Sequence, residues 1–334
     1  MSDEPDLDAR VARAIAAWSD EDEDAFDAAF DALPHKGDAG FALGRRLVGS
    51  RVAMERALGA RLLGAVINPD RGHVRGVVEA CLPLAAVEQD PLVLAAAIRA
   101  LGHASEQDAV SAIAQHHGHA SAGTRLAVAQ TLPPIYNDGI VLGTYLPALL
   151  ALSADDDDDV RDWACFQLGR QLLEIDTPEL RSALAARLDD PHEDTRAEAI
   201  VGLAQRHDPR ALPALVRALD EGDAGELLVE AAAWIGDASL VPHLLDFESD
   251  DEVEAALDRC DPERRARRAA RNAALVDALA ARGLEATVTL EAFDDDISWT
   301  TVEGQTFGAD VERVLARSDV NGDIEAAAAH LAAP

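Results

Sequence analysis

Apolar positions along this chain recur at i, i+4 and i+8 in segments spaced thirty-odd residues apart, the pattern of amphipathic helices in a repeat array. DVRDWACFQLG (159–169) and DTRAEAIVGLA (194–204) share one skeleton: Asp, a β-branched residue, Arg, two free positions, Ala, three free positions, Leu. The anchors are Val160/Ala164/Leu168 and Thr195/Ala199/Leu203, with Arg161 and Arg196 one place after the first anchor. Weaker copies begin at Glu55, Val93, Thr124 (running Thr124/Val128/Leu132) and Leu227, so successive starts lie 38, 31, 36, 35 and 32 residues apart. Asp or Ser precedes most of these helices as an N-cap. Gly64, Gly102, Gly169 and Gly236 follow the last anchors and read as helix stops. A second helix in each unit opens on an apolar–Pro pair, Leu82-Pro83, Leu146-Pro147, Leu212-Pro213 or Val241-Pro242, with proline in the first turn, where the backbone N–H lacks a partner anyway. TPELRSALAARL (177–188) starts instead with Thr177 and Pro178. Neither helix buries its stripe alone, so only stacking closes a core.

The ends differ from the middle. Leu7, Val11, Ile15 and Trp18 form one stripe on an N-terminal helix, followed by the acidic SDEDED (19–24). ERRARRAARNAALVDALAARG (263–283) predicts a long helix stopped by Gly283. EATVTLEAF (285–293) and ISWTTVEG (297–304) alternate with period two about Asp294-Asp295-Asp296, which predicts a β-hairpin. A short helix (309–317) and an Ala-rich one (323–332) follow. The expected organisation is a capping helix over 1–23, a solenoid over 24–283 and an appendage over 284–334. The fold class is all-α: a right-handed α-solenoid of about seven helix pairs with a small hairpin-bearing appendage.

The segment from DVRDWACFQLG through DTPELRSALAARLDDPHEDTRAEAIVGLAQRHDPRALPALVRAL resembles HEAT repeats of the short prokaryotic, phycobilin-lyase-like kind. The resemblance covers about residues 88–250, with degenerate copies back to residue 24. These periods are shorter than the roughly 40–47 residues of HEAT and armadillo units. Ankyrin and tetratricopeptide repeats fit the period, but their TPLH and W-x2-LG-x2-Y signatures are absent. The resemblance implies a HEAT-like superhelix whose variable positions read a protein or peptide surface.

Charge narrows the partners. The 334 residues carry 62 Asp+Glu against 29 Lys+Arg, a net charge of −33, and Lys36 is the lone lysine. Nucleic acid is excluded as a natural partner, because phosphate neutralisation needs clustered cations; a basic protein or peptide is favoured. So acidic a surface suits a saline cytoplasm, where screening tames self-repulsion, or a GC-rich genome. An apolar fraction of 49% is too high for a disordered chain. No apolar run approaches the ~18 residues of a membrane span, and MSDEPDLDAR is acidic where a secretory leader would be basic. The expectation is a cytoplasmic protein. Cys81, Cys165 and Cys260, odd in number and without CxxC spacing, read as buried thiols.

Several features invite chemistry. Arg56, Arg125, Arg161 and Arg196 share one offset and either grip an anionic ligand or pair with loop aspartates such as Asp159 and Asp194, the pairing being favoured. Trp163 stands where other units carry Ala96, Ala127, Glu198 and Glu230, and is either a contact residue or a gap filler. Arg264, Arg265, Arg267, Arg268 and Arg271 form a basic patch that docks an acidic ligand or neutralises an edge helix. The run Asp155–Asp159 reads as a solvated loop whose end caps a helix. His116, His117 and His119 (HHGH) read as a polar helix end. SDVNGDIEAAAAH (318–330) opens like a calcium loop at Asp319, Asn321 and Asp323, but Ile324 and His330 stand where glycine and a bidentate carboxylate belong. No nucleophile elbow, phosphate loop or HExxH occurs. Deoxyhypusine hydroxylases resemble this architecture but carry several His-Glu dyads, whereas His192-Glu193 stands alone; helical-repeat DNA glycosylases need a basic face. The expectation is a non-enzymatic scaffold for a basic protein or peptide, without catalytic residues, metal or cofactor. Its contact candidates are Trp163, Arg161, Arg196, Arg264, Arg265 and Arg268. The alternative is a small-molecule-handling enzyme, or a lyase or chaperone of the HEAT-repeat lyase type.

Overall fold

The computed structural model describes residues 4–20, 22–67, 72–104, 107–131, 141–222, 225–248, 250–290, 295–300 and 305–333. The chain forms two compact units, Met1–Ile175 and Asp176–Pro334.

The first unit runs α1 (Glu4–Ser19), α2 (Glu23–Asp31), α3 (Gly37–Val48), α4 (Ala53–Ala65), α5 (Val74–Val87), α6 (Pro91–Ala104), α7 (Gln107–Ala114), α8 (Ala122–Thr131), α9 (Leu146–Leu152) and α10 (Asp158–Phe166). A π-helical turn, Val141–Tyr145, leads into α9, and another, Gln167–Gln171, extends α10. The repeat skeletons lie on α4, α6, α8 and α10, which pack in succession, with α3, α5, α7 and α9 beside them. Val93, Ala97 and Leu101 on α6 and Val160, Ala164 and Leu168 at α10 are all buried, as the i, i+4, i+8 spacing requires. The anchor Leu132 lies outside the described residues. At the N-terminal end, Val11 and Ala14 of α1, Phe26 of α2 and Leu33 just after it cover Leu58 and Leu62 of α4.

The second unit runs α11 (Pro178–Ala185), α12 (Glu193–Gln205), α13 (Ala211–Glu221), α14 (Glu226–Ile235), α15 (Val241–Leu244), α16 (Asp251–Cys260) and α17 (Pro262–Ala280). There α12, α14 and α16 carry the stack. Strands β1 (Glu285–Leu290), β2 (Asp295–Thr300) and β3 (Thr306–Asp310) form an antiparallel sheet in that order, with Val288 opposite Ile297 and Trp299 opposite Phe307. Helices α18 (Val311–Leu315) and α19 (Ile324–Leu331) close a small core in which Ile297 and Trp299 meet Leu275, Leu279, Val311 and Leu331. Among the described residues the helices form seven pairs, α3/α4 to α9/α10 in the first unit and α11/α12 to α15/α16 in the second, in the all-α pattern of a solenoid, and the three-stranded sheet follows in the second unit.

Four expectations need correction. Gly169 lies within the π-helical turn that extends α10, and Gly64 and Gly102 lie inside α4 and α6, rather than ending them. The last two are where neighbouring helices touch: a Cβ on Gly102 would sit 2.5 Å from Thr131 Cβ, and one on Gly64 3.2 Å from the His103 ring. Gly236 does stop its helix, at φ +63° with its N–H on the Ala232 carbonyl. Pro83 falls near the C-terminus of α5 rather than at a helix start. A third strand occupies residues assigned partly to helix, because TFGAD is an exposed edge without apolar alternation. Asp295, placed in a turn, instead opens β2 opposite Leu290 and is fully buried; Glu291–Asp294 and Thr301–Gly304 lie outside the described residues. Arg268 Nε (2.6 Å), Asn272 Nδ2 (2.5 Å) and Arg259 Nη2 (3.0 Å) all donate to the Asp295 carboxylate, pinning the sheet to α16 and α17.

A recurring polar joint organises the turns before the stacked helices. Five residues ahead of five of the six first anchors, all but Leu227, stands Ser50, Glu88, His119, Asp155 or Asp190. Its side chain accepts the N–H two residues on: Val52, Asp90, Ser121, Asp157 and His192 are the donors, at 3.0, 3.0, 3.1, 3.0 and 3.1 Å. Six residues after the turn residue comes the recurrent arginine, which donates to the turn carbonyls. Arg56 reaches Ser50 and Arg51, Arg125 reaches His119 and Ala120, Arg161 reaches Asp155, and Arg196 reaches Asp190 and Pro191. Arg56 and Arg125 also fork onto the carboxylate of the next turn, Glu88 (2.8 and 3.1 Å) and Asp155 (2.7 and 2.6 Å).

Removing one partner of a largely buried ion pair costs roughly 3–5 kcal/mol, whereas an exposed pair contributes about 0–1 kcal/mol. Arg125→Met is therefore expected to cost about 3 kcal/mol in urea denaturation. Arg217→Met, whose partner Asp189 and own side chain are both largely exposed, is expected to cost under ~1 kcal/mol. Equal losses would show that the fork does not join the repeats. Burial alone would raise the Asp295 carboxyl, but Arg268, Asn272 and Arg259 outweigh burial and hold it below the usual carboxylate range. A depressed carboxyl contributes stability above its unfolded value, near ~3.9, and that contribution disappears as pH falls through the lower folded value. Asp295→Asn should lose about 3–5 kcal/mol at pH 7 and show a weaker loss of stability than the parent on acidification below pH ~4.

Candidate functional site

The stacking of helices leaves one row of positions per offset, and the rows differ in what they do. One place after the first anchor, the arginines are engaged in the turns. Arg161 is buried, with Nη1 on the Asp155 carbonyl (3.0 Å) and Nη2 on Asp158 (2.5 Å) rather than on Asp159. Arg196 is half-buried, with Nη1 on the Asp190 carbonyl at 2.8 Å. The aspartate run is absorbed by the same joint: Asp155 and Asp156 take Arg125, Asp157 caps Val160, and Asp158 takes Arg161. Arg125 holds the Asp155 carboxyl below the usual range against the opposing, larger effect of burial taken singly.

The basic helix α17 is likewise occupied from within. Arg264 pairs with Glu254 (2.7 Å) and Asp258 (3.3 Å), and Arg265 donates to the Gly236 and Arg259 carbonyls (2.7 and 3.3 Å). Arg268 is buried on Asp295, Arg271 reaches Glu312 at 2.6 Å, and Arg267 lies 4.0 Å from Glu263. The histidine cluster serves a turn. His117 Nδ1 contacts the Ala114 carbonyl (2.9 Å), and His119 Nδ1 accepts from Ser121 N–H. In the calcium-like segment Asp323 caps α19 and Asp319 binds Arg317. No group of three or more His, Cys, Asp or Glu side chains positioned for a metal occurs among the described residues. Cys81, Cys165 and Cys260 are buried and unbridged, and burial pushes the Cys81 and Cys260 thiols up to about 12, which leaves them protonated and unreactive at neutral pH.

Trp163 differs from the arginines. Its side chain is 37% exposed, edge-on to Phe166 at 5.6 Å and 83°, with the Arg170 guanidinium 5.9 Å from the Phe166 ring. In the second unit the same offset carries Glu198 and Glu230, and Glu230 accepts from Gln205 (3.0 Å) and Trp234 Nε1 (3.4 Å).

Two cavities stand apart in character. In the second unit, a cleft of about 460 Å3 lies where α13 ends, α14 and α16 begin and α15 turns. Leu219, Val229, Phe247 and Val253 give it an apolar lining, and Glu226, Asp246, Glu248, Asp250 and Glu252 ring it. Among the described residues, none of these five carboxylates pairs with an arginine or lysine. In the first unit, a cavity of about 410 Å3 is lined by Trp18, Phe30, Leu92, Arg61, Arg99 and His103.

The pattern of HEAT repeats matches residues 146–234. Those residues are HEAT repeats. The matched stretch lies inside the span 88–250 read from the repeat skeleton. Protein YibA of Escherichia coli K12, and of strain O157:H7, is 32% identical over 118 residues, which is 34% of this chain and 41% of the relative. The chain thus spans about two fifths of the length of the curated relatives it matches. The X-ray structure of E. coli YibA superposes with a TM-score of 0.59 at 21% identity over 78% of this chain and 97% of that one, so the fold is shared. No described helix is long and apolar enough to cross a membrane.

The sequence reading passed over Arg61, Arg99 and His103, yet a signal for them existed. Six places after the first anchors stand Arg61, Arg99, Gln130, Phe166, Val201 and Ala233; the first two are the only basic pair at that offset. The carboxylate-ringed cleft had no comparable sequence mark, because its residues come from four elements. Since Trp163 is over a third exposed, Trp163→Ala should cost about 1 kcal/mol, the scale of one aromatic pair, rather than the 3–5 kcal/mol of a buried tryptophan. Urea denaturation of the variant decides, and a loss above ~3 kcal/mol would make Trp163 a core residue.

Proposed function

We propose that this chain is a non-enzymatic interaction scaffold of the cytoplasm that holds a basic protein or peptide. The observation that carries the reading is the cleft of the second unit: five carboxylates without a cationic partner among the described residues, around an apolar lining, in a chain of net charge −33. Lysine or arginine side chains of a partner would meet Glu226, Asp246, Glu248, Asp250 and Glu252, while an apolar residue enters among Leu219, Val229, Phe247 and Val253. Exposed ion pairs contribute only about 0–1 kcal/mol each, so the apolar lining supplies affinity and the carboxylates supply association rate and selection of charge. Trp163, exposed on the HEAT array, is the second contact we assign to a partner. The internally paired arginines Arg161, Arg196, Arg264, Arg265 and Arg268 serve the scaffold's own joints. The heavy excess of carboxylate over lysine suits work at high salt, where self-repulsion is screened.

Affinity capture from the native extract at two salt concentrations, with the parent and a Glu226→Gln/Glu248→Gln/Glu252→Gln variant, tests the assignment. A basic protein retained by the parent, retained less as salt is raised, and lost by the variant is the expected result. Recovery of the same proteins by parent and variant alike would overturn it, and a co-purifying chromophore would favour the lyase-like alternative.

A further inference from the structure

The cavity of the first unit has the opposite electrostatics, and what lines it points to a ligand of a different kind. Trp18 from α1 and Phe30 from α2 form aromatic walls, and Arg61 of α4 meets Arg99 and His103 of α6 across the same space. The Arg61 guanidinium carbon lies 4.6 Å from the Phe26 ring centre, 5.7 Å from Phe30 and 5.8 Å from Trp18. Its contacts are ring faces, and it makes no hydrogen bond or ion pair among the described residues. Arg99 donates from Nε (3.4 Å) and Nη2 (3.1 Å) to the neutral Gln130 Oε1. No carboxylate among the described residues pairs with either guanidinium, although the chain holds 62 acidic residues against 29 basic ones. Burial and then the charge of Arg61 pull the Arg99 pKa down, and burial pulls His103 down as well, so His103 is neutral at pH 7 and can donate and accept.

Two cations facing one another across an aromatic-walled space without an acid is an arrangement that an anion completes. A guanidinium offers five N–H donors in a fixed fork suited to carboxylate and phosphate oxygens. A volume of about 410 Å3 lies within the range of small-molecule sites, ~300–1,000 Å3, and is far too small for a folded partner.

We propose that this cavity binds a small organic oxyanion, its carboxylate or phosphate head bridging Arg61 and Arg99 and a flat apolar body lying against Trp18 and Phe30. His103 hydrogen-bonds the head or a substituent beside it. The site lies in the other unit from the carboxylate-ringed cleft, so it stands or falls independently of the partner assigned there.

Isothermal titration calorimetry of the full chain with benzoate and with phenyl phosphate tests the site and separates the two head groups. Inorganic phosphate and benzylamine serve as controls for head and body. Sub-millimolar binding of benzoate or phenyl phosphate is expected, with inorganic phosphate at least tenfold weaker and benzylamine silent. Arg99→Lys keeps the charge but not the fork and should weaken the better ligand at least fivefold; Arg61→Met with Arg99→Met should weaken it at least fiftyfold. Thermal melts of each variant confirm folding before titration, and Arg217→Met is the matched control that leaves binding unchanged. Failure of both aromatic anions to bind at 10 mM, equal binding of benzylamine, or unchanged affinity in folded Arg99→Lys would each overturn the proposal.

Discussion

In the first unit two arginine forks, from Arg56 and Arg125, tie successive turns together. A repeat solenoid has no long-range core, so each unit must be fixed by what it shares with the next. Apolar burial supplies most of that energy but little direction, because helices can slide and rotate along a greasy seam. The fork supplies direction. Arg125 ties its own turn through the His119 and Ala120 carbonyls and the next turn through Asp155, so that a single side chain sets both the angle of its helix and the spacing to the following one. Where the arginine is replaced, at Leu94 and Leu228, the substitute is a buried apolar side chain. That exchange is tolerable because swapping a buried ionic group for a well-packed apolar one is often close to neutral, and the turn at Glu88 keeps its own bonds to the Gln89 and Asp90 amides.

The same joint changes how the charge of the chain reads. A run of five aspartates looks like a solvated patch or a cation site, yet four of the five have assignments inside the turn. The basic helix looks like a docking surface, yet Arg264, Arg265 and Arg268 each meet an acid or a carbonyl of the same unit. Conspicuous charge in the sequence is thus mostly architecture. The groups that remain for recognition are those the joints leave over, and they are scattered in sequence: Glu226 opens one helix, Asp246 and Glu248 sit in a turn, and Glu252 opens another.

Much of the fold was legible because helix stacking imposes a strict period. The anchors at i, i+4 and i+8 located the stacked helices, and the recurrence of arginine one place on marked the joint, although Arg161 bonds Asp158 and the Asp155 carbonyl rather than Asp159. What misled were residues whose sequence signal is local but whose role is set by a neighbour. Gly102 resembles a stop, yet it is small because Thr131 of the next helix comes against it. Asp295 resembles a turn residue, yet Arg259, Arg268 and Asn272, 23–36 positions away, make it a buried strand opening. The strand Thr306–Asp310 carries no alternation because it is an exposed edge. The candidate sites were less legible still. Trp163 stood out by breaking its row, while the pair Arg61 and Arg99 was visible only to the same offset comparison applied six places along.

Rows of a helical array fall into two kinds, and the distinction locates function without reference to motif. Rows that the stacking needs, the anchors and the arginine beside them, repeat in chemistry because each copy solves the same mechanical problem. Rows that the stacking does not need are free to differ. The row Arg61, Arg99, Gln130, Phe166, Val201, Ala233 passes from cationic through neutral to apolar along the chain. Its last members, Val201 and Ala233, are buried in the core, so the row is free of the stacking only at its start, where Arg61 and Arg99 line a cavity. Arginines in the first kind of row find acids and carbonyls. Those in the second kind, in a chain with twice as many acids as bases, face rings and an amide. Acids are abundant enough to have neutralised them, so their isolation marks a place where the charge itself is the useful quantity.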